Sequence, residues 1–459
     1  MGFLGLFAGL VLLIWLALRG INVIFASVLC SLVVIFTNDL PLAESLSQHY
    51  ALGPLGAFSF AGKFFFLFAT GAIFGRVMDE SHAATSIALA MLRKWGKKRV
   101  LWITTLSCAL LTYGGVVVFV VIFAIYPLGL RLLEQTNLPK RLLGGSVCLG
   151  AGTFTLTALH GTPSIQYVFP SVYLVTDLYA GVWLGLLGGL IMFGLGIWYL
   201  ERERLRAYEN GESFELGPKD QILEIGKEDF KYPHWLIAST PLITVLTIIV
   251  TPRLLTLVMG DAVKSATGLL GETIRFAGAQ PILWPCIALI IGTLAAILLM
   301  DSVRSKGLKI MGSGTQDSII PLMCTSAVIG FGGVVTQTDA FQQFGQIMSN
   351  SDLPPLLSLF AAISLLAGVT GSASGGLQIF MQTMADDYLA MGIEPEVLHR
   401  LVTMASGGLD SLPHCGGVVA ILFILGLTHR QGYKDMFVLS VIIPLIASII
   451  TFGTYAFIS

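Results

Sequence analysis

Charge is the scarcest commodity in this sequence. Only 12% of its 459 residues are Asp, Glu, Lys or Arg, and 55% are hydrophobic, whereas soluble domains run near about a quarter charged. With a mean hydropathy of +0.83, that scarcity excludes an ordinary water-soluble domain and marks an integral membrane protein. The net charge is −1, and no basic run alternates with aromatic residues, so no nucleic-acid partner is expected. Cys30, Cys108, Cys148, Cys286, Cys324 and Cys415 lie in or beside apolar segments with no CxxC spacing, which argues against a disulfide framework or a zinc site. No cofactor is expected. The apolar stretch 2–18 lacks a basic leader and a small-residue cleavage site, so it reads as a retained first span.

What the chain does have is apolar segments long enough to cross a bilayer, which takes roughly 17 to 25 residues. They fall at 2–18, 21–38, 57–78, 142–170, 178–200, 233–258, 280–300, 319–338, 397–428 and 436–457. Two more, 100–130 and 354–390, are interrupted by glycine-rich turns at Tyr113, Gly114 and Gly115 and at 370–376. The expected fold is therefore all-α and membrane-embedded, with about ten transmembrane helices and two candidate re-entrant hairpins.

Loop charge orients these elements, because short Lys/Arg-rich loops stay cytoplasmic. Arg93, Lys94, Lys97, Lys98 and Arg99 precede the 100–130 stretch, and Arg131, Lys140 and Arg141 follow it, so that stretch enters and returns as a hairpin opening inward. The polar linker 201–232, with Arg202, Arg204, Arg206, Lys219, Lys227 and Lys231, is cytoplasmic, as are Arg304, Lys306, Lys309, Arg430 and Lys434. Loops 38–62, 171–177 and 342–353 contain no Lys or Arg and face outside. The connection 260–280, with Lys264 and Arg275, fits least well. Asp352 on one side of 354–390 and Asp386, Asp387, Glu394 and Glu396 on the other make the second hairpin open outward. The order is three spans, hairpin, broken span and closing span, then the same six elements inverted. Residues 1–200 and 233–459 thus read as an inverted repeat joined by 201–232, with both termini external.

Two spans should not survive as continuous helices. Ser406–Gly417 contains Gly407, Gly408, Asp410, Pro413, His414, Gly416 and Gly417, and 153–164 contains His160, Gly161 and Pro163. Non-helical backbone at membrane depth is tolerated where it lines a cavity. Half-helix N-termini there offer unpaired N–H groups and partial positive charge, suited to a carboxylate. Hydroxyls at Thr153, Thr155, Thr157, Thr162, Ser164, Thr370, Ser372, Ser374, Ser406 and Ser411, beside Gly375, suit a hydroxy acid. Neither turn nor break contains Arg or Lys, which favours a small anion of low charge.

Intramembrane ionisable groups are functional candidates. Asp410 carries a proton or balances a cation, or else caps the second half-helix. His160 and His414 titrate in the useful range, or are packing residues. Asp79 and Glu80 near Arg76, and Asp339, read as interfacial ion-pair residues, while Gln166, Gln337 and Gln378 either donate to substrate or bridge helices. An intramembrane serine hydrolase using Ser372 or Ser374 with His414 as base, and a passive anion channel, are the alternatives from other classes.

The segment Gly71-Ala-Ile-Phe-Gly-Arg-Val-Met-Asp-Glu-Ser-His-Ala-Ala84, followed by Trp95-Gly-Lys-Lys-Arg99, resembles the signature of the gluconate:proton symporter family of bacterial permeases. So does 153–166, which resembles its gluconate- or citrate-type branch. The resemblance implies the ion-transporter superfamily: a scaffold domain, a mobile transport domain holding both hairpins, elevator motion, a homodimer, and a bacterial inner membrane. The first break is threonine-rich where better-known gluconate members are rich in proline and histidine, and neither turn has the Ser-Asn-Thr of sodium-coupled dicarboxylate relatives. The function implied is proton symport of a small organic anion such as gluconate or another hydroxy or keto acid, with sodium-coupled carboxylate transport as the alternative.

Overall fold

The computed structural model describes residues 2–19, 21–116, 118–217, 232–259, 268–349, 353–413 and 415–458. Lys219, Lys227 and Lys231 of the linker, Lys264, and His414 of the second break lie outside the described residues. Within them the chain is all-α, with no strand.

The first half builds α1 (Gly2–Leu18), α2 (Val23–Thr37), α3 (Ala57–Glu80), α4 (Ala83–Trp95), α5 (Val100–Tyr113), α6 (Val118–Thr136), α7 (Lys140–Gly152), α8 (Ile165–Leu174) and α9 (Val182–Glu209). The second builds α10 (Trp235–Met259), α11 (Leu269–Ala279), α12 (Leu283–Leu299), α13 (Gly307–Val335), α14 (Asp339–Ser349), α15 (Pro355–Thr370), α16 (Ala373–Thr383), α17 (Pro395–Leu409), α18 (Gly416–Leu425), α19 (His429–Phe437) and α20 (Ile443–Ile458).

Five helical runs are long and apolar enough to cross a membrane: Leu42–Glu80, Val182–Glu209, Trp235–Met259, Gly307–Val335 and His429–Ile458. Shorter apolar helices, α2, α15 and α18 among them, make up the rest of the bundle. In α10 only 17% of the most apolar window is buried, and Ile243, Leu254 and Leu257 are exposed. A contiguous apolar surface of that kind is stable against lipid chains, not water.

Several boundaries differ from the sequence expectation. The 38–62 stretch is not a plain loop: a π-helix spans Ser45–Leu52. Helix α4 forms where only a basic loop is expected. Helix α13 begins at Gly307 rather than near 319, because its polar start packs on α3, where a Cβ at Gly314 would stand 2.7 Å from Ile73 Cα. Helix α11 meets α12 at 114°, so the 260–280 connection is partly helical. The second hairpin turns at Gly371 and Ser372 alone, not across 370–376. Gly371 takes φ 59°, and the Ser372 hydroxyl accepts the Gly375 N–H at 3.3 Å, restarting the helix at Ala373. Gly376 then serves α16 as a spacer: its Cβ would lie 2.6 Å from Ala367 Cα of α15.

Packing divides the helices into two groups. Helices α1, α2, α3, α10, α12 and α13 pack against one another, with α3 against α13 the most extensive contact. In the other group each hairpin straddles both broken spans. The first arm of each hairpin (α5, α15) packs on the first half-helix of its own break (α7, α17), and the second arm (α6, α16) packs on the second half-helix of the other break (α18, α8).

Candidate functional site

The first broken span departs from helix at Thr153 (φ −125°, ψ −101°), makes a π-turn over Phe154–Ala158, and runs extended from Leu159. Gly161 has φ 80° and its N–H donates to Leu178 O at 3.0 Å. A Cβ there would stand 2.7 Å from the Tyr179 ring, so glycine is required twice over. The first hairpin is tied to this break: the Tyr113 hydroxyl donates to His160 O at 2.8 Å, and a Cβ on Gly115 (φ 96°) would meet Pro163 at 2.7 Å. The second break runs between Asp410, which ends α17, and Cys415, which precedes α18. It is pinned from α19, where the Tyr433 hydroxyl donates to Ser411 O at 3.1 Å and His429 Nε2 donates to Pro413 O at 2.9 Å.

Between the two packing groups lies a cavity of about 1120 Å³. Its wall takes Gly115 and Val116 from the first hairpin turn, Pro163, Ser164 and Gln166 from the first break, Thr370 through Ser374 from the second turn, and Asp410, Ser411 and Cys415 from the second break. Helices α3 and α13 supply the facing wall, including Arg76, Asp79 and Asp317. Both turns and both breaks therefore reach one chamber.

The chamber's polar groups fall into two kinds. Thr112 Oγ1, Ser164 Oγ and Gln166 Oε1 are buried, line the chamber, and have no hydrogen-bond partner among the described residues. Buried polar atoms are normally paired, so these three keep unused hydrogen-bonding capacity at the chamber wall. Asp410 is the opposite case. It is 7% exposed, its Oδ1 accepts the Ser411 hydroxyl at 3.0 Å, and the backbone of Ala373 lies close to the same carboxylate. Ala373 opens α16, whose N-cap is Ser372, so Asp410 lines the chamber beside the start of the second hairpin's returning arm. The N-cap position of the second half-helix, α18, is held by Cys415 and not by Asp410.

Other expected site residues are spent on local bonds. The hydroxyls of Thr155, Thr157 and Ser406 donate to Gly150 O, Thr153 O and Thr403 O, and Thr162 reaches Thr112 O at 3.5 Å. Buried Ser and Thr within a helix find their nearest acceptor in the preceding turn, so a hydroxyl-rich sequence overstates the hydroxyls offered to a ligand. Gly114 packs on Leu242, and Gly375 supplies its N–H to Ser372. His160 is half-buried against Tyr179, 5.5 Å between ring centroids, and neither it nor Gly161 lines the chamber. Ser372 and Ser374 do, their hydroxyls 3.0 Å apart.

Arg76, at the chamber wall, pairs with Glu80 at 2.9 Å and Asp317 at 3.7 Å, where the sequence places it in an ion pair with Asp79 or Glu80. Another cation has no role assigned from the sequence. Arg400 is fully buried, stacked 4.8 Å from the centre of the Tyr167 ring, and donates to Ala180 O at 2.7 and 3.0 Å and to Ala158 O at 3.0 Å. It holds the end of the first break from the opposite half of the chain. Its place in an apolar run was the available signal.

An all-α bundle with an apolar exterior and a chamber walled by interrupted helices is the fold of a multi-span membrane protein. The chain belongs to the GntP permease family: residues 1–457 match the family described as GntP family permease. It is thereby a transporter and not an enzyme, and family and fold are consistent with a secondary transporter in a bacterial inner membrane. It is 36% identical over 452 residues to the uncharacterized transporter YxjC of Bacillus subtilis (strain 168), covering 94% of each chain. It is 25% identical over 464 residues to the inner membrane permease YgbN of Escherichia coli (strain K12), covering 98% of this chain and 97% of that one. Among solved structures, the Alcanivorax borkumensis YdaH transporter aligns with a TM-score of 0.48 at 13% identity, over 87% of this chain and 88% of the other.

Proposed function

We propose that this protein is a proton symporter for a small hydroxy- or keto-acid monoanion, with Asp410 as the proton-carrying group. The observation that carries the reading is the position of the buried Asp410 carboxylate close to the first amide of α16, that of Ala373, with both residues lining the chamber. That amide, with the helix dipole behind it, is where a substrate carboxylate would bind. Two carboxylates competing for one donor repel each other, and neutralising Asp410 with a proton removes the competition. Substrate and proton therefore bind best together. The partnerless Thr112, Ser164 and Gln166 atoms supply hydrogen bonds to the hydroxyl or keto oxygens.

The two halves are read as inverted copies, and reciprocal docking supports this. Lys140, opening α7, donates to Leu425 O at the end of α18 at 3.0 Å. His399, near the start of α17, pairs through Nδ1 with Thr176 Oγ1 at 2.7 Å, just past the end of α8. The re-entrant hairpins then move with the breaks as one body against α1–α3, α10, α12 and α13, in elevator fashion.

The test is uptake into proteoliposomes under an imposed pH gradient or sodium gradient, with a panel of hydroxy and keto acids. Wild type accumulates a panel member only with the pH gradient; Asp410→Asn loses accumulation and keeps substrate exchange. Full concentrative uptake by Asp410→Asn, or accumulation driven by sodium alone, overturns the assignment.

A further inference from the structure

We infer that a second cavity, walled by Lys63, Tyr173, Gln378 and Gln382, is a separate binding site for a hydroxy-monocarboxylate, placed ahead of the chamber on the opposite face of the protein. The inference rests on the transport reading for its purpose but not for its geometry.

This cavity, about 460 Å³, is also lined by Ser59 and Asp386. It lies near the N-terminal end of α3, whereas Arg76 lies at the chamber wall thirteen positions on, roughly 20 Å along the helix. Helix α16 joins the two cavities: Ser374 lines the chamber, and Gln378 and Gln382, on the next two turns of the same helix, line the second cavity.

The chemistry of its wall is specific. The Lys63 ammonium stands over the Tyr173 ring at 4.8 Å and the Phe64 ring at 5.6 Å and makes no salt bridge among the described residues. The Tyr173 oxygen accepts two amide N–H bonds, from Gln378 Nε2 at 2.8 Å and Gln382 Nε2 at 2.5 Å. With its acceptor positions taken, the phenol still has a proton to donate. The carbonyl oxygens Gln378 Oε1 and Gln382 Oε1 are buried without partners among the described residues, and Gln378 is only 2% exposed. The wall thus presents an ammonium, a free O–H donor and two unanswered acceptors. A carboxylate takes the first two, and the hydroxyls of the same molecule take the carbonyl oxygens. Asp386 also lines the cavity, so its negative charge beside the single Lys63 ammonium disfavours a di- or tricarboxylate.

The test is calorimetric titration of the detergent-purified full-length protein with sodium D-gluconate and with sodium hexanoate, its counterpart lacking hydroxyls. Wild type is expected to show a gluconate-binding component that Lys63→Met weakens at least tenfold, that Lys63→Arg retains, and that Asp410→Asn leaves in place. Gln378→Leu with Gln382→Leu is expected to bring gluconate down to the affinity of hexanoate. A Lys63→Met isotherm superimposable on wild type, hexanoate binding as tightly as gluconate, or no gluconate binding to wild type overturns the site. A Lys63-dependent component in a protein that accumulates no acid in proteoliposomes sinks the symport reading and leaves the site standing.

Discussion

The turn of the second hairpin depends on a single hydrogen atom at Gly376. A Cβ built there stands 2.6 Å from both Cα and N of Ala367 and 3.0 Å from its Cβ. Carbon atoms pack at about 3.5–4.0 Å, so Gly376→Ala must drive α15 and α16 apart by roughly 1 Å. The atoms in the way are backbone, and no rotamer change relieves them. Overpacking of this kind costs about 1–3 kcal/mol, offset by up to about 1 kcal/mol from replacing glycine within a helix, leaving a net loss of roughly 1–2 kcal/mol. The displacement reaches Ser372, Ser374 and the Ala373 amide close to Asp410, so uptake falls together with stability. Gly453→Ala, with nothing within 4 Å of its Cβ, is the control that isolates the propensity gain. The assay is tryptophan-monitored thermal unfolding in detergent, beside proteoliposome uptake. Ala367→Gly removes only the 3.0 Å contact and should not rescue Gly376→Ala. Equal melting temperatures and equal uptake for Gly376→Ala and Gly453→Ala would refute the close approach of the two arms.

Other perturbations separate structure from function in different ways. Ser164→Ala deletes a buried hydroxyl that lacks a protein partner; the melting temperature should hold while the KM for uptake rises about fivefold, one hydrogen bond's worth, and a drop in stability with unchanged KM would make Ser164 structural. Gly115→Ala combines a left-handed φ of 96° with contacts at 2.7 and 2.8 Å to Pro163 and Leu289, so it should destabilise by more than Gly376→Ala. Glu212, bonded by Arg141 Nε at 2.7 Å, has its carboxyl held below the ordinary glutamate value by that bond. A depressed carboxyl stabilises above its unfolded pKa and loses that contribution as pH falls through the folded one. The melting-temperature gap between wild type and Glu212→Gln should be present at pH 7 and close as the medium is acidified below about pH 4.3; a gap that widens in acid contradicts the linkage.

The residues missed in the sequence share a cause. Arg400 and Lys63 carry charge whose meaning depends on which carbonyls and rings surround them, and those come from Ala158, Ala180 and Tyr173, far away along the chain. The hydroxyls overvalued in the sequence, Thr155, Thr157 and Ser406, are satisfied within their own segments. Sequence type names a donor; only the fold decides whether its bond is already used.

By itself the sequence determined the solvent and the interruptions. Apolar length and scarce charge demand lipid, and Gly161, Pro163 and Pro413 fall where the two spans leave the helix, because these are local properties of backbone and transfer energy. Tertiary structure decided which interruptions meet, which hydroxyls remain free, and that Asp410 of one broken span lines the same chamber as Ala373 at the start of a hairpin arm. Those facts depend on distances between segments dozens or hundreds of residues apart, which no periodicity along the chain encodes.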